Sequence, residues 1–126
     1  MSKSAPKILI VDDEKDLCEI LEFNLISEGF ETEVAFSAEE ALKKNIHQFD
    51  LFLLDVMMGE MSGYKMAAKI RKEMHITTPI IFLTANGDVA SINRAKYSRP
   101  LAFLIKPFTQ VDLHAAIETA LNLSET

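Results

Sequence analysis

The chain is short of cysteine, of basic stretches and of long apolar runs, and each shortage closes off a class of protein. Cys18 is its one cysteine, so no internal disulfide can form, which suits a reducing compartment. No uninterrupted apolar stretch nears the roughly 20 residues a membrane-spanning helix needs. The start, Met1 to Lys7, is polar and lacks the apolar centre of a secretion signal. These features predict a soluble, cytoplasmic protein with no membrane insertion. The formal net charge is −6. Gripping nucleic acid takes a basic face, so no direct nucleic-acid binding is expected. Solubility is the commoner reason for such acidity. His47, His75 and His114 fall on separate segments, and without a His/Cys cluster zinc is disfavoured.

At 126 residues the chain fits a single domain, 1–126, with a core from about residue 7 to 123. A chain of this size buries roughly two-thirds of its unfolded surface, enough to fold without a disulfide or structural metal. No repeat, low-complexity tract or linker interrupts it. The sequence ends soon after its last amphipathic segment, so no output domain is expected within it.

Five short apolar runs alternate with amphipathic segments. The runs are Ile8-Leu9-Ile10-Val11, Glu33-Val34-Ala35-Phe36, Leu51-Phe52-Leu53-Leu54, Ile80-Ile81-Phe82-Leu83 and Ala102-Phe103-Leu104-Ile105. Four are nearly continuous, as expected of strands buried on both faces of a parallel sheet. The second is more polar and is placed nearer an edge. Leu17, Ile20, Leu21 and Leu25 are expected to share one helix face, and Leu113, Ala116, Ile117, Ala120 and Leu121 another. Ser37 with Glu40 reads as a capping box, Thr109 as an N-cap, and Gly29 as the end of the first helix. Asn86 to Tyr97 has the weakest helical pattern. Five βα units in a row imply right-handed crossovers with helices on both faces.

The charges at the strand ends carry the chemistry. Asp12-Asp13 follow the first run, Asp55 the third and Lys106 the fifth. In open α/β sheets ligands bind in the crevice at the carboxyl ends of the strands. Two carboxylates about 4 Å apart repel by roughly 4 kcal/mol at an effective dielectric near 20. A bound proton or a cation relieves this, and a small divalent cation such as Mg²⁺ does so best, with oxygen ligands and a substrate phosphate. Capping of the first helix, for which Asp13 is suited, accounts for one acid of the pair. It does not account for Asp55, on another strand. A carboxylate beside a metal can attack a phosphoryl donor to give an acyl phosphate. Lys106 precedes Pro107, which biases it to an extended conformation. A cis bond there would let the lysine turn inward, toward Asp55 or a phosphate oxygen. Thr84 ends the fourth run, where its hydroxyl could donate to a phosphoryl oxygen.

These residues resemble the receiver domains of two-component response regulators, over nearly the whole chain from Lys7 to about Leu123. The motifs are Val11-Asp12-Asp13, Leu54-Asp55-Val56-Met57-Met58, Met61-Ser62-Gly63-Tyr64, Leu83-Thr84-Ala85 and Lys106-Pro107-Phe108. Each is weak alone; their order and places at strand ends make the signal. The resemblance implies a flavodoxin-like, doubly wound five-stranded parallel sheet of order 2-1-3-4-5 with five helices on two faces. It implies that Asp55 takes a phosphoryl group from a sensor histidine kinase or phosphotransfer protein. Asp12, Asp13, Asp55 and the backbone carbonyl of Met57 would hold Mg²⁺ or another small divalent cation. Lys106 would contact the phosphoryl group, Thr84 would move toward it, and Phe103 would turn inward in concert. The face of the fourth helix, fifth strand and fifth helix would then change shape. That change would control a downstream protein or an attached output domain, or drive a phosphorylation-dependent homodimer. Such a protein is a switch and not an enzyme; it catalyses only its own phosphorylation and dephosphorylation.

The sequence departs from the common pattern at four places: Gly59, where proline is usual; Ser62, at a common aspartate position; Arg99-Pro100-Leu101-Ala102, before the fifth strand; and Phe103, often a tyrosine. Met57 and Asn86 would flank the phosphoryl group and tune its lifetime. The competing reading for Met57 is simple packing, and Met58, Met61, Met66 and Met74 are read as gap fillers. Cys18 is expected to be inert. The alternatives are an aspartyl-phosphate phosphohydrolase, against which Met57 counts because such enzymes commonly carry a second acid there, and a non-phosphorylated pseudo-receiver.

Overall fold

A computed structural model describes residues 5–58, 61–85 and 100–124. Its strands are β1 (Lys7–Val11), β2 (Glu31–Ala35), β3 (Leu51–Asp55), β4 (Ile80–Thr84) and β5 (Ala102–Ile105). The helices among the described residues are α1 (Lys15–Ser27), α2 (Ala38–Leu42), α3 (Gly63–Lys72) and α4 (Gln110–Ser124), with a 3-10 turn at Ile46–Gln48. The weak segment Asn86 to Tyr97, with its Asn86, lies outside the described residues, as do Gly59 and Arg99. Four of the five expected helices are therefore described. None of them is long and apolar enough to cross a membrane.

All strand pairs are parallel, in the order β2-β1-β3-β4-β5. The three central strands are buried almost throughout, which explains their unbroken apolar runs. Alternate residues separate the core in two, as the period of a strand requires. Leu9, Val11, Phe52, Leu54, Ile80 and Phe82 pack with Ala38 and Ala41 of α2 and Met66, Ala67 and Ile70 of α3. Ile8, Ile10, Leu51, Leu53, Ile81 and Leu83 pack with Cys18, Leu21 and Leu25 of α1 and Leu113, Ile117 and Ala120 of α4.

β2 is an edge strand, as its polar character suggests, but begins two residues earlier than the apolar run. β5 corrects the expectation of burial on both faces. It lies at the other edge, and Ile105 is 55% exposed. Apolar content reports a strand's propensity and not how many neighbours flank it. Ile20 is a second correction. It is 58% exposed on the outer side of α1 with Phe23 and Ile26. Cys18, Leu21 and Leu25 form the buried stripe instead.

The punctuation of the helices is local chemistry. Gly29, at φ +96°, follows α1. Its N–H donates to the Ile26 carbonyl and the Phe30 N–H to the Leu25 carbonyl, both at 3.0 Å. This is a Schellman end, which glycine allows because it lacks a Cβ. Ser37 Oγ accepts from the Glu40 N–H at 3.0 Å, while the Glu40 carboxylate accepts from Phe36 N, one residue before the reciprocal partner a capping box uses. Thr109 forms the full box: its Oγ1 accepts from Asp112 N at 3.0 Å and its own N–H donates to the Asp112 carboxylate at 3.4 Å. Ser62 Oγ accepts from Lys65 N at 3.1 Å and so caps α3.

Candidate functional site: an acidic crevice closed by a lysine

The register brings the strand-end residues together. Val11 pairs with Leu54, Asp55 with Leu83, and Thr84 with Ile105. Asp12, Asp55, Thr84 and Lys106 therefore emerge along one edge of the sheet. The backbone there is fixed: Asp12 N donates to the Ala35 carbonyl at 3.1 Å, Val56 N to Leu83 at 3.0 Å, and Lys106 N to Thr84 at 2.7 Å.

Oxygens of Asp12, Asp13 and Asp55 all lie within 4.8 Å of one another. Asp12 is fully buried, Asp55 is 5% exposed and Asp13 is exposed. Three hard carboxylate oxygens facing a crevice suit a small divalent cation, and the donor set holds no soft ligand.

Lys106 closes the crevice across a cis bond to Pro107. Its Nζ donates to Asp12 Oδ2 at 2.8 Å, to Glu14 Oε1 at 3.2 Å and to Asp55 Oδ1 at 3.5 Å. Burial alone would lower the ammonium's pKa. The hydrogen bond and charge of Asp12, the charge of Asp55 and the bond from Glu14 outweigh it, and the net shift is upward. The lysine stays charged.

Asp55 is shifted upward as well, which for an acid disfavours the charged form. Burial first, then the charge of Asp12, push its carboxyl up from 3.8 to about 6, against the smaller pulls of Lys106 and of the Met57 N–H at 3.4 Å. The metal-free pocket thus disfavours the ionised Asp55. A cation would reverse that balance.

Neither member of the acid pair caps α1 with its side chain. The N-cap is Glu14, and no side-chain cap bond is made there. Asp12 Oδ1 instead accepts from Glu14 N at 2.9 Å, a tight turn that aims Asp12 inward. Cys18 Sγ donates to the Asp12 carbonyl at 3.3 Å, and burial, then Asp12 and Glu22, push its pKa up to about 12. This fits the inert thiol expected of it. Thr84 is 3% exposed. Phe103 is half-buried and stacks on Phe82, with centroids 5.5 Å apart, and Phe82 meets Tyr64 edge-on at 5.1 Å. His47 and His75 are exposed and His114 is half-buried, away from the crevice.

Met57 corrects the packing alternative, since its side chain is 76% exposed. Of the other methionines, Met58 and Met66 are buried, and Met61 and Met74 pack partly against the core. Two site features were missed in the sequence. Glu14 is a third acid in the run Asp12-Asp13-Glu14, and its contact with Lys106 had that run as its only signal. Gly63 lies so close to β3 that a Cβ there would collide with the Asp55 carbonyl oxygen.

A parallel sheet of this order, with an acidic crevice at the carboxyl ends of β1 and β3, defines the flavodoxin-like class of α/β proteins. Within that class the chain belongs to the response regulator receiver domain family, whose model matches residues 8–118. A probable transcriptional regulator, ycf27, of Cyanidium caldarium is 39% identical over 126 residues, 99% of this chain and 50% of that protein. A two-component response regulator from Clostridium difficile matches with a TM-score of 0.88 at 31% identity, over 96% of this chain and 99% of that one. A CheY-like receiver domain protein from Methanospirillum hungatei JF-1 matches with a TM-score of 0.89 at 28% identity, over 97% and 98%. The chain spans about half the length of the first curated relatives it matches. Receiver domains are phosphorylation-dependent signalling switches of two-component systems.

Proposed function

We propose that Asp55 accepts a phosphoryl group from a histidine kinase or phosphotransfer protein. The observation that carries this reading is the convergence of Asp12, Asp13, Asp55 and Lys106 in one crevice. A carboxylate oxygen of Asp55 attacks phosphorus, the bond from phosphorus to the donor breaks, and the donor leaves with its electron pair. Asp12, Asp13 and Asp55, with the backbone carbonyl of Met57, hold Mg²⁺, which supplies charge neutralisation for the transferring group. Lys106 moves from carboxylate to phosphoryl oxygen at little cost because it already lies 3.5 Å from Asp55. Thr84 donates from the end of β4. Phe103, already stacked on Phe82, turns further inward as Thr84 moves. The face that includes β5 and α4 then changes its partners, either a separate downstream protein, a second copy or an attached output domain. Catalysis on an outside substrate is not part of this role.

The test is incubation with a small phosphodonor and Mg²⁺, read by intact mass. A single phosphate adduct is expected, and none in Asp55→Ala. No adduct with any donor would favour the pseudo-receiver; an adduct that survives Asp55→Ala would move the site elsewhere. A hydrolase would turn over donor continuously, and Met57 offers it no second carboxylate.

Met57 also sets an expectation for lifetime. Met57 is exposed, two residues beyond Asp55, and its thioether cannot orient an attacking water by a strong hydrogen bond. The acyl phosphate is expected to be long-lived for this family, and Met57→Asn or Met57→Asp to shorten it. Decay of the adduct followed by mass after donor removal measures this, and equal lifetimes in all three proteins would rule it out.

A further inference from the structure

The third carboxylate on Lys106 has no part in the reading above. Glu14 is exposed, and among the described residues its side chain meets Lys106, in a 3.2 Å bond. An ammonium has three N–H donors, and here three carboxylates receive them: Asp12, Glu14 and Asp55. Two of those three also belong to the acid cluster that would hold a cation. Lysine and cation therefore compete for Asp12 and Asp55. Among the described residues, Glu14 is the partner of Lys106 that lies outside that cluster, and it pulls the lysine toward the rim.

From this geometry we propose that Glu14 is a positioning residue that holds Lys106 partly off Asp12 and Asp55 and so keeps the cation position open. The proposal rests on the cation-binding reading of the crevice. It explains an otherwise idle contact: an exposed ion pair stabilises a fold little, but it can decide where a shared ammonium rests. Without Glu14 the lysine settles deeper between the two buried acids, where it is the better competitor.

The experiment is a double-mutant cycle on Mg²⁺ affinity, measured by titration calorimetry on the unphosphorylated protein. Glu14→Gln should raise the Kd about two- to fivefold, the range an exposed ion pair spans. Asp16→Asn, which removes another acidic charge from the first turn of α1 and leaves the bonds of Lys106 to Asp12, Glu14 and Asp55 in place, should change it less. In a Lys106→Met background the Glu14→Gln effect should shrink to that of Asp16→Asn, because no shared ammonium remains. The Lys106 side-chain NMR signals should also move in Glu14→Gln and stay in Asp16→Asn. Equal effects of the two single substitutions, or a Glu14→Gln effect that survives without Lys106, would reduce Glu14 to a general field and overturn the proposal. Unmoved Lys106 signals would overturn it as well. Failure of the unaltered protein to bind Mg²⁺ would instead remove the cation-binding reading, and this inference with it.

Discussion

Gly63→Ala is expected to destabilise the protein by roughly 3 kcal/mol, at the upper end of what an overpacked site costs. The new Cβ would overlap the Asp55 carbonyl oxygen and stand 3.0 Å from the Asp55 carbonyl carbon and 3.2 Å from Val56 Cα. All three are backbone atoms, so no side chain can swing aside. Relief requires α3 to move off β3, and the 3.0 Å bond from Gly63 N to the Val56 carbonyl lengthens as it does. The damage should extend to chemistry, because the displaced peptide belongs to Asp55 itself. Urea unfolding followed by circular dichroism measures the loss. Gly29→Ala is the control: its φ of +96° strains alanine, but nothing lies within 4 Å of the added Cβ. Its cost should be about 1–2 kcal/mol. If Gly63→Ala costs no more than Gly29→Ala, α3 and β3 are not in the close contact described.

Asp55→Asn is expected to make the metal-free protein more stable at neutral pH. The carboxyl of Asp55 is pushed up from 3.8 to about 6, first by burial and then by Asp12. For a folded-state pKa raised above the unfolded value, the stabilising contribution is complete below the unfolded pKa. It is lost as pH rises through the folded one. The unaltered protein should therefore forfeit stability from Asp55 between about pH 4 and 7. The full shift corresponds to about 3 kcal/mol, and solvent at the mouth of the crevice reduces the expected gain in Asp55→Asn to about 1–2 kcal/mol at pH 7.5. At pH 4 the two proteins should be alike. Urea midpoints in a chelating buffer across this range provide the check. A difference that persists undiminished at pH 4 would trace the gain to something other than ionisation. Mg²⁺ should narrow the gap at pH 7.5 by pairing with the ionised carboxylate.

The central strands were readable because burial on both faces leaves an unbroken apolar run, and a run has an end that can be found. Asp12 and Asp55 sit at such ends, and Lys106 ends the apolar run of the edge strand β5, so their convergence followed once the strands were taken as parallel. The Thr109, Ser37 and Gly29 signals were readable because capping is settled within a few residues. What escaped depends on contacts across the sheet or on rotation about a helix axis. Ile20 is one position from Leu21, a turn of about 100°, and that decides between core and solvent. Exposure of Ile105 depends on β5 having one neighbouring strand, which its own four residues do not record. Glu14 meets a lysine from the far end of the chain, and no local pattern announces the meeting.

The sulfur of Cys18 lies beneath Asp12, bound to its carbonyl and held almost wholly protonated. Since only a thiolate reacts readily, this group is shielded from oxidants and alkylating agents while the crevice is intact. It is also the only thiol in the chain. Its labelling rate therefore reports how often α1 lifts from β1, a clock for opening of the pocket floor that needs no added probe.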